Sequence, residues 1–499
     1  MIHVGNKREC FFDNYLIDEE KTTAEQRLHK PVRKGVVLEM DKPWEGETHF
    51  HCPIFVDGKW RMYYNGRHND LNERCICFVE SEDGIHWTRP DLGIVQFRGS
   101  KHNNIILNKE LLAEFDFNGY DNFGIFYDEN PACKEDEKFK MVAWWCGHAA
   151  LTCLKSADGI HFTKCDFVTD DGEFDSQNRA FWSAAHGKYF CYYRGEHVPG
   201  ADIGLIDRSY MQKDADALYD PETYAMRDPG DGTFSFMRDV RVIESEDFEK
   251  WSAQKPICYN GKDFQIYNNC VFPYPRAPHI LVGFPLRYAE RKSWTKNYDE
   301  LCDAEERKGR MARMARLGLA VTDAMFMSSR DGVNFTKFDE AIIPPPPETP
   351  GAFVYGDGAV ATALLEVPSD IPGAENEYML IVRENFRCVK GPNRLVKYTS
   401  RLDGFVSRYA GGDPAKVVTK EFTYTGKDLY ANIATSARGY AYFTLKSEEG
   451  DFTSIEVFGN STDKRIRFED DETVKRLSGK KVILEIEMFD CDIYAIRFA

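Results

Sequence analysis

The stretch Ser81-Glu82-Asp83-Gly84-Ile85-His86-Trp87 decides how this chain folds, because it returns four more times. The copies are Ser156-Ala157-Asp158-Gly159-Ile160-His161-Phe162, Ser245-Glu246-Asp247-Phe248-Glu249-Lys250-Trp251 and Ser329-Arg330-Asp331-Gly332-Val333-Asn334-Phe335, with a degraded fifth, Ser400-Arg401-Leu402-Asp403-Gly404-Phe405. Their aspartates lie 75, 89, 84 and 72 residues apart. That is too long for a solenoid repeat and suits a propeller blade with generous loops.

The motif reads as a tight hairpin. Asp-Gly supplies the positive φ that a short turn demands, Ser and Asp can bond to turn amides, and the aromatic residue packs back on the sheet. A strand precedes most copies, for example residues 76–80, 240–244 and 324–328. Further upstream lie a second strand, as at 59–64, 138–143, 188–193 and 377–382, and an apolar stretch, as at 52–56, 123–127, 179–182, 270–273 and 359–362. Four strands in each of five units predict an all-β chain, a five-bladed β-propeller over residues 1–410 with the N-terminal segment included. The repeated turns are structural, since they fall between the third and outermost strands. After Gly411-Gly412-Asp413-Pro414 the motif stops, and residues 411–499 read as a C-terminal β-sandwich.

Two units carry insertions. Residues 195–236 are polar and contain Asp228-Pro229-Gly230-Asp231-Gly232; residues 290–317 have helical composition, with Met311, Met314 and Leu317 on one helical face. The second insertion is a solvated flap, a lid over the propeller mouth, or an arm through which two copies of the chain associate.

The net charge of −17 opposes binding to nucleic acid and to anionic membranes, and leaves a neutral sugar indifferent. No run approaches 18 apolar residues. The first ten residues show no leader-like apolar run, and the 14 cysteines are scattered without a CxxC pair. Together these predict a cytoplasmic chain with reduced thiols, no metal and no cofactor.

The turn Ser245-Glu246-Asp247-Phe248-Glu249-Lys250-Trp251 resembles the Ser-x-Asp-Leu/Phe-x-x-Trp hairpins of five-bladed propeller glycoside hydrolases, families 32, 43, 62 and 68. A propeller followed by a β-sandwich resembles family 32 in particular. Phe11-Phe12-Asp13-Asn14-Tyr15-Leu16-Ile17 and residues 80–93 are similar to a bacterial family-32-like group. The resemblance spans the whole chain and implies a glycosidase, with a furanoside as substrate by analogy. The family's first-blade Asn-Asp-Pro-Asn-Gly is replaced here by Trp44-Glu45-Gly46-Glu47-Thr48-His49-Phe50-His51, and the one Arg-Asp-Pro, Arg227-Asp228-Pro229, lies in the polar insertion. Invertase activity is therefore not carried over.

In a propeller, the first residues of each inner strand line a central funnel, where carboxylates can be paired and desolvated into an acid and a base. The catalytic candidates are Asp175, Asp121, Asp357 and Glu47. The sugar-binding candidates are His49, His51, Gln177, Asn178, Arg194, Tyr267 and Asn268, with Trp44 and Trp182 for ring stacking. The expected function is hydrolysis of a small oligosaccharide or glycoside by funnel carboxylates. The alternatives are a non-catalytic carbohydrate-binding propeller and, through His49 and His51, a metal-assisted lyase.

Overall fold

A computed structural model of the chain describes residues 1–68, 73–114, 120–145, 150–197, 219–220, 225–226, 237–261, 264–291, 294–312, 316–387 and 391–499. Of the described residues 52% are in strands and 7% in helices, so the structure is mostly β. Five antiparallel sheets built on four strands follow one another. The first is His49–Val56, Lys59–His68, Glu73–Ser81 and Ile105–Leu107. The second is Tyr120–Tyr127, Phe139–Trp145, Ala150–Ser156 and Thr163–Thr169. The third is Arg179–Ser183, Lys188–His197, Met237–Ser245 and Lys255–Pro256. The fourth is Val271–Tyr274, Ala277–Gly283, Met327–Ser329 and Asn334–Lys337, with Cys258–Tyr259 added at its edge. The fifth is Leu365–Val367, Glu377–Glu384 and Asn393–Arg401, completed by the N-terminal strand Val32–Met40.

Apolar side chains of each sheet pack against the next. Ile54 and Ile76 meet Phe123 and Met141; Val142 and Phe126 meet Ala180 and Cys191. Phe181 and Val242 meet Val271 and Leu281; Phe272 and Val282 meet Leu380 and Val396. A last cluster joins the fifth sheet to the first, Met379 and Leu395 with Met62 and Val79. Inner segments also approach closely. A Cβ on Gly124 would lie 2.0 Å from the Asn178 carbonyl oxygen, so only glycine lets these two segments touch.

The repeated turn is built alike in four copies. In the first, Ser81 Oγ accepts from Gly84 N at 2.9 Å, and Asp83 Oδ1 accepts from Ile85 N and His86 N at 2.8 Å. Ser156 and Asp158, Ser245 and Asp247, and Ser329 and Asp331 repeat these bonds. Positive φ falls on Gly84, Gly159, Phe248 and Gly332, and in the fifth turn on Asp403.

The strands Leu429–Ser447 and Ile483–Phe498 form the spine of an eight-stranded sheet. It takes in Arg8–Cys10, Glu25–Leu28 and Val406–Ala410, while Ile2–Gly5 pairs with Phe422–Tyr424. The opening residues and 406–410, expected with the repeat-bearing part, thus pair with the tail. Strand partners so distant along the chain leave no local pattern. Among the described residues no helix is long and apolar enough to cross a membrane.

The second insertion holds the helices Lys296–Glu300, Ala304–Met311 and Arg316–Leu319. Arg307 anchors it by donating to the carbonyls of Ala352 and Phe353. Met311 packs with Tyr298 and Leu319. Met314 lies outside the described residues, as does nearly all of 195–236, including Arg227, Asp228 and Pro229.

Candidate functional site

The inner segments of the first, second and fourth sheets begin with a backbone irregularity that re-aims side chains. On the first sheet Phe50 and His51 both stand opposite Tyr64; on the second, Asn122 and Phe123 stand opposite Ala143. Phe50, Asn122 and Cys270 all have positive φ, at 55°, 53° and 47°. Non-glycine residues hold this conformation at a cost, and such bulges concentrate beside functional sites.

These segments surround a cavity of about 350 Å³, within the roughly 300–1,000 Å³ usual for small-molecule sites. The first sheet and its lead-in contribute Glu47, His49, Phe50 and His51. The second contributes Asn122, and the segment entering the third contributes Asp175, Ser176 and Gln177. Tyr267 and Asn268 come from the strand Gln265–Asn268 ahead of the fourth sheet. Tyr355, Gly356, Arg383 and Arg387 come from the fifth, and Leu317 arrives from the helical insertion.

Among the described residues two carboxylates face this space. Asp175 accepts from Arg194 Nη1 at 2.9 Å and Asn122 Nδ2 at 3.1 Å, and its side chain stays 63% exposed while that of Arg194 is 5% exposed. Arg194 also donates to the Tyr267 carbonyl at 3.3 Å. Glu47 accepts from Arg67 Nη1 at 3.1 Å. Burial, then the charges of Arg383 and Arg387, push His49 well below the usual histidine range; burial and Arg383 do the same to His51. Both imidazoles are therefore neutral near pH 7. His51 Nε2 has no hydrogen-bond partner among the described residues, although the residue is only 4% exposed. A buried ring nitrogen facing a cavity calls for a ligand or a water. Tyr355 donates its hydroxyl proton to the Tyr267 hydroxyl. Burial pushes the Tyr267 phenol up, but Arg194, the Tyr355 hydroxyl and Arg387 together outweigh it and the net shift is downward.

Asp357 stands apart. It is buried, does not line the cavity, and accepts from Phe386 N at 2.8 Å and Asn385 N at 3.2 Å. It clamps the loop that presents Phe386 and Arg387. Burial pushes its carboxyl up to about 7, against the pull of the Phe386 amide, Arg383 and the Asn385 amide. A folded-state value raised above the unfolded ~3.9 means the folded protein keeps a proton that the unfolded chain has released. Stability from this group therefore falls as pH rises from about 4 to about 7. Asp357→Asn is expected to remove that slope. Melting temperatures of both proteins across this range check it, and a constant difference between them would contradict it.

Asn178, Trp44 and Trp182 make contacts of the frame. Asn178 donates to the carbonyls of Asn122 and Phe174, tying the second and third sheets together. Trp44 packs in the cluster between the fifth and first sheets and donates to Asn104 Oδ1 at 2.8 Å. Trp182 stacks edge-on against Tyr189. Glu45 is fully buried, gripped by Arg89 at 2.8 and 2.9 Å and by the Tyr64 hydroxyl at 2.5 Å. Asp121 pairs with Trp144 at the bulge, and its side chain lies outside the described residues. Among the described residues no three His, Cys, Asp or Glu side chains gather as a metal site.

The cavity arginines Arg67, Arg74, Arg383 and Arg387 were not expected from the sequence. They sit on second and third strands or just after them, where charged residues usually mark a solvated strand end.

No protein-family model matches the chain, and no curated protein matches it in sequence. The structure is similar to a glycoside hydrolase family 43 arabinoxylan arabinofuranohydrolase from Bacillus subtilis in complex with cellotetraose, at 10% identity, covering 92% of this chain and 96% of that one, TM-score 0.39. It is similar to a glycosyl hydrolase from Bacteroides ovatus at 14% identity, covering 79% of this chain and 99% of that one, TM-score 0.39. It is also similar to an N-acetylgalactosamine deacetylase from F. plautii in complex with blood group B trisaccharide, at 11% identity, covering 92% and 95%, TM-score 0.39. Likeness of this degree carries no argument about chemistry, which has to come from the cavity itself.

Proposed function

We propose that the five sheets are blades of a closed five-bladed propeller, flanked by a β-sandwich of N- and C-terminal strands, and that the cavity is the active site of a glycoside hydrolase. One observation carries this reading: residues at the inner ends of all five sheets meet in one cavity, with Glu47 and Asp175 reaching it from different sheets. The cores shared by successive sheets, including the fifth with the first, support the ring.

Glycosidic cleavage needs a proton for the leaving oxygen and a carboxylate on the other side of the sugar. Glu47 and Asp175 are suited to these two roles. Gln177, Asn268 and the neutral histidines are suited to sugar hydroxyls, and Phe50 or Tyr267 to the apolar face of a ring. Leu317 closes part of the wall, which supports a lid role for the helical insertion.

A panel of nitrophenyl furanosides and pyranosides tests the reading. The expected result is hydrolysis of at least one member, lost in Glu47→Gln protein that still folds. The arginine pairing of both carboxylates favours a second reading, a cavity that only holds sugar. Sugar binding without turnover across the panel would select it and sink the hydrolase.

A further inference from the structure

The cavity is electropositive in a protein of net charge −17. Among the described residues its lining holds four arginines against two carboxylates. Glu47 is matched by Arg67, and Asp175 by Arg194. Arg383 and Arg387 have no carboxylate at ion-pair distance among the described residues. The guanidinium of Arg383 is buried and donates to the carbonyls of Gly356 and of Thr48, the latter at 3.0 Å, and lies 3.3 Å from His49 Nδ1. Asp357, the acid near it, spends both oxygens on loop amides behind the wall. Burial brings Arg383 down to about 10 against the pull of Asp357, and the neighbouring charge of Arg387 adds to the fall. Arg387 is held by its Nε, which donates to the Tyr355 carbonyl at 3.1 Å, and by the rings of Tyr355 and Phe386, 4.7 and 4.9 Å from its guanidinium carbon. That leaves its two terminal nitrogens as a preset fork, the geometry that takes an oxyanion through two parallel hydrogen bonds. The buried guanidinium of Arg383, with Arg387 beside it, calls for an anion, and a neutral glycoside brings none.

We infer that the glycoside taken by this cavity carries an oxyanion on the sugar itself, a carboxylate or a phosphate, received by Arg387 with Arg383 behind it; this rests on the glycosidase reading of the site. The anion sets which sugar enters, while Glu47 and Asp175 act on the bond.

Matched nitrophenyl substrates test it: glucoside against glucuronide, galactoside against galacturonide, and glucoside against its 6-phosphate. The anionic member of at least one pair is expected to show kcat/KM at least about tenfold above its neutral partner. Arg387→Gln is expected to cut that ratio roughly tenfold to a hundredfold, the range for a charged hydrogen bond. A merely structural loss lowers both members together and leaves the ratio unchanged, which would overturn the inference, as would preference for the neutral sugars. The uronide and phosphate arms separate the two sources of the anion. If no glycoside is cleaved, the glycosidase reading falls, and calorimetric titration with glucuronate, inorganic phosphate and glucose still decides this one. Binding of either anion but not glucose, weakened at least about tenfold by Arg387→Gln, supports it; no binding of either anion overturns it.

Discussion

Replacing Asp403 by alanine is expected to destabilise the protein by roughly 3–5 kcal/mol, the range for removing one partner of a buried ion pair. Asp403 is fully buried in the fifth repeat turn, at the position occupied by Gly84, Gly159, Phe248 and Gly332 in the others. Its carboxylate accepts from the Tyr274 hydroxyl at 2.9 Å, Arg8 Nη1 at 3.1 Å and Asn432 Nδ2 at 3.2 Å, with Arg276 at 3.5 Å. Its own amide donates to the Tyr274 hydroxyl at 2.9 Å. One side chain thus joins the fourth and fifth sheets, the N-terminal strand and the tail sheet. Alanine would leave Arg8 with Asp463 alone and Arg276 without this carboxylate. It would also have to adopt φ near 58°, which adds about 1–2 kcal/mol for a residue with a Cβ. Asp403→Asn keeps a residue that tolerates this φ, so it is expected to cost less. Denaturant unfolding of the three proteins checks the order, and a loss below about 1 kcal/mol in the alanine variant would contradict the staple.

Asp175→Asn is expected to lower kcat/KM by about a thousandfold, within the range of 10²–10⁴ for a positioned acid or base. The change is nearly isosteric and removes the charge that Arg194 and Asn122 orient towards the cavity. Arg194 is buried, so some stability is lost as well, and folding must be verified by circular dichroism before the rate is read. Asn122→Ala leaves the carboxylate oriented by Arg194 alone, so a loss of about tenfold is expected, that of one positioning hydrogen bond. Steady-state kinetics on the best substrate of the panel measures both. An Asp175→Asn rate within threefold or so of the wild type would remove Asp175 from the chemistry.

The sheets were legible because their turns are local. Ser and Asp two residues apart close bonds onto amides within three residues, so the signal survives in sequence. The pairing of Val32–Met40 with Asn393–Arg401, and of Arg8–Cys10 with the last strand, has no local signature. The inner strand of the fifth sheet was expected at 359–362, whereas the structure has an isolated bridge at Val360 and the strand at Leu365–Val367.

The site divides along similar lines. Glu47, His49, His51, Asp175, Gln177, Tyr267 and Asn268 meet in the cavity because strand starts can be located from the repeat. Arg194 reaches it through Asp175. Asp357 looks the same in sequence whether it faces a ligand or caps two amides, and only the 385–387 loop, folded back over it, distinguishes these. Trp44 and Trp182 are equally ambiguous, since packing and sugar stacking use the same flat face. The left-handed conformations at Phe50 and Cys270 fall on residues that rarely adopt them, so no residue pattern announces them.

The most direct test of the central claim, that Glu47 and Asp175 cleave one glycosidic bond between them, is chemical complementation of Glu47→Ala and Asp175→Ala. Turnover is measured with nitrophenyl and dinitrophenyl glycosides, with and without sodium azide. A variant lacking the acid recovers on the better leaving group, which needs no proton, while one lacking the base or nucleophile recovers when azide replaces the carboxylate. The expected result is one behaviour from each variant, which also assigns the two roles. Two folded variants that keep wild-type rates, or that respond to neither rescue, would contradict the claim.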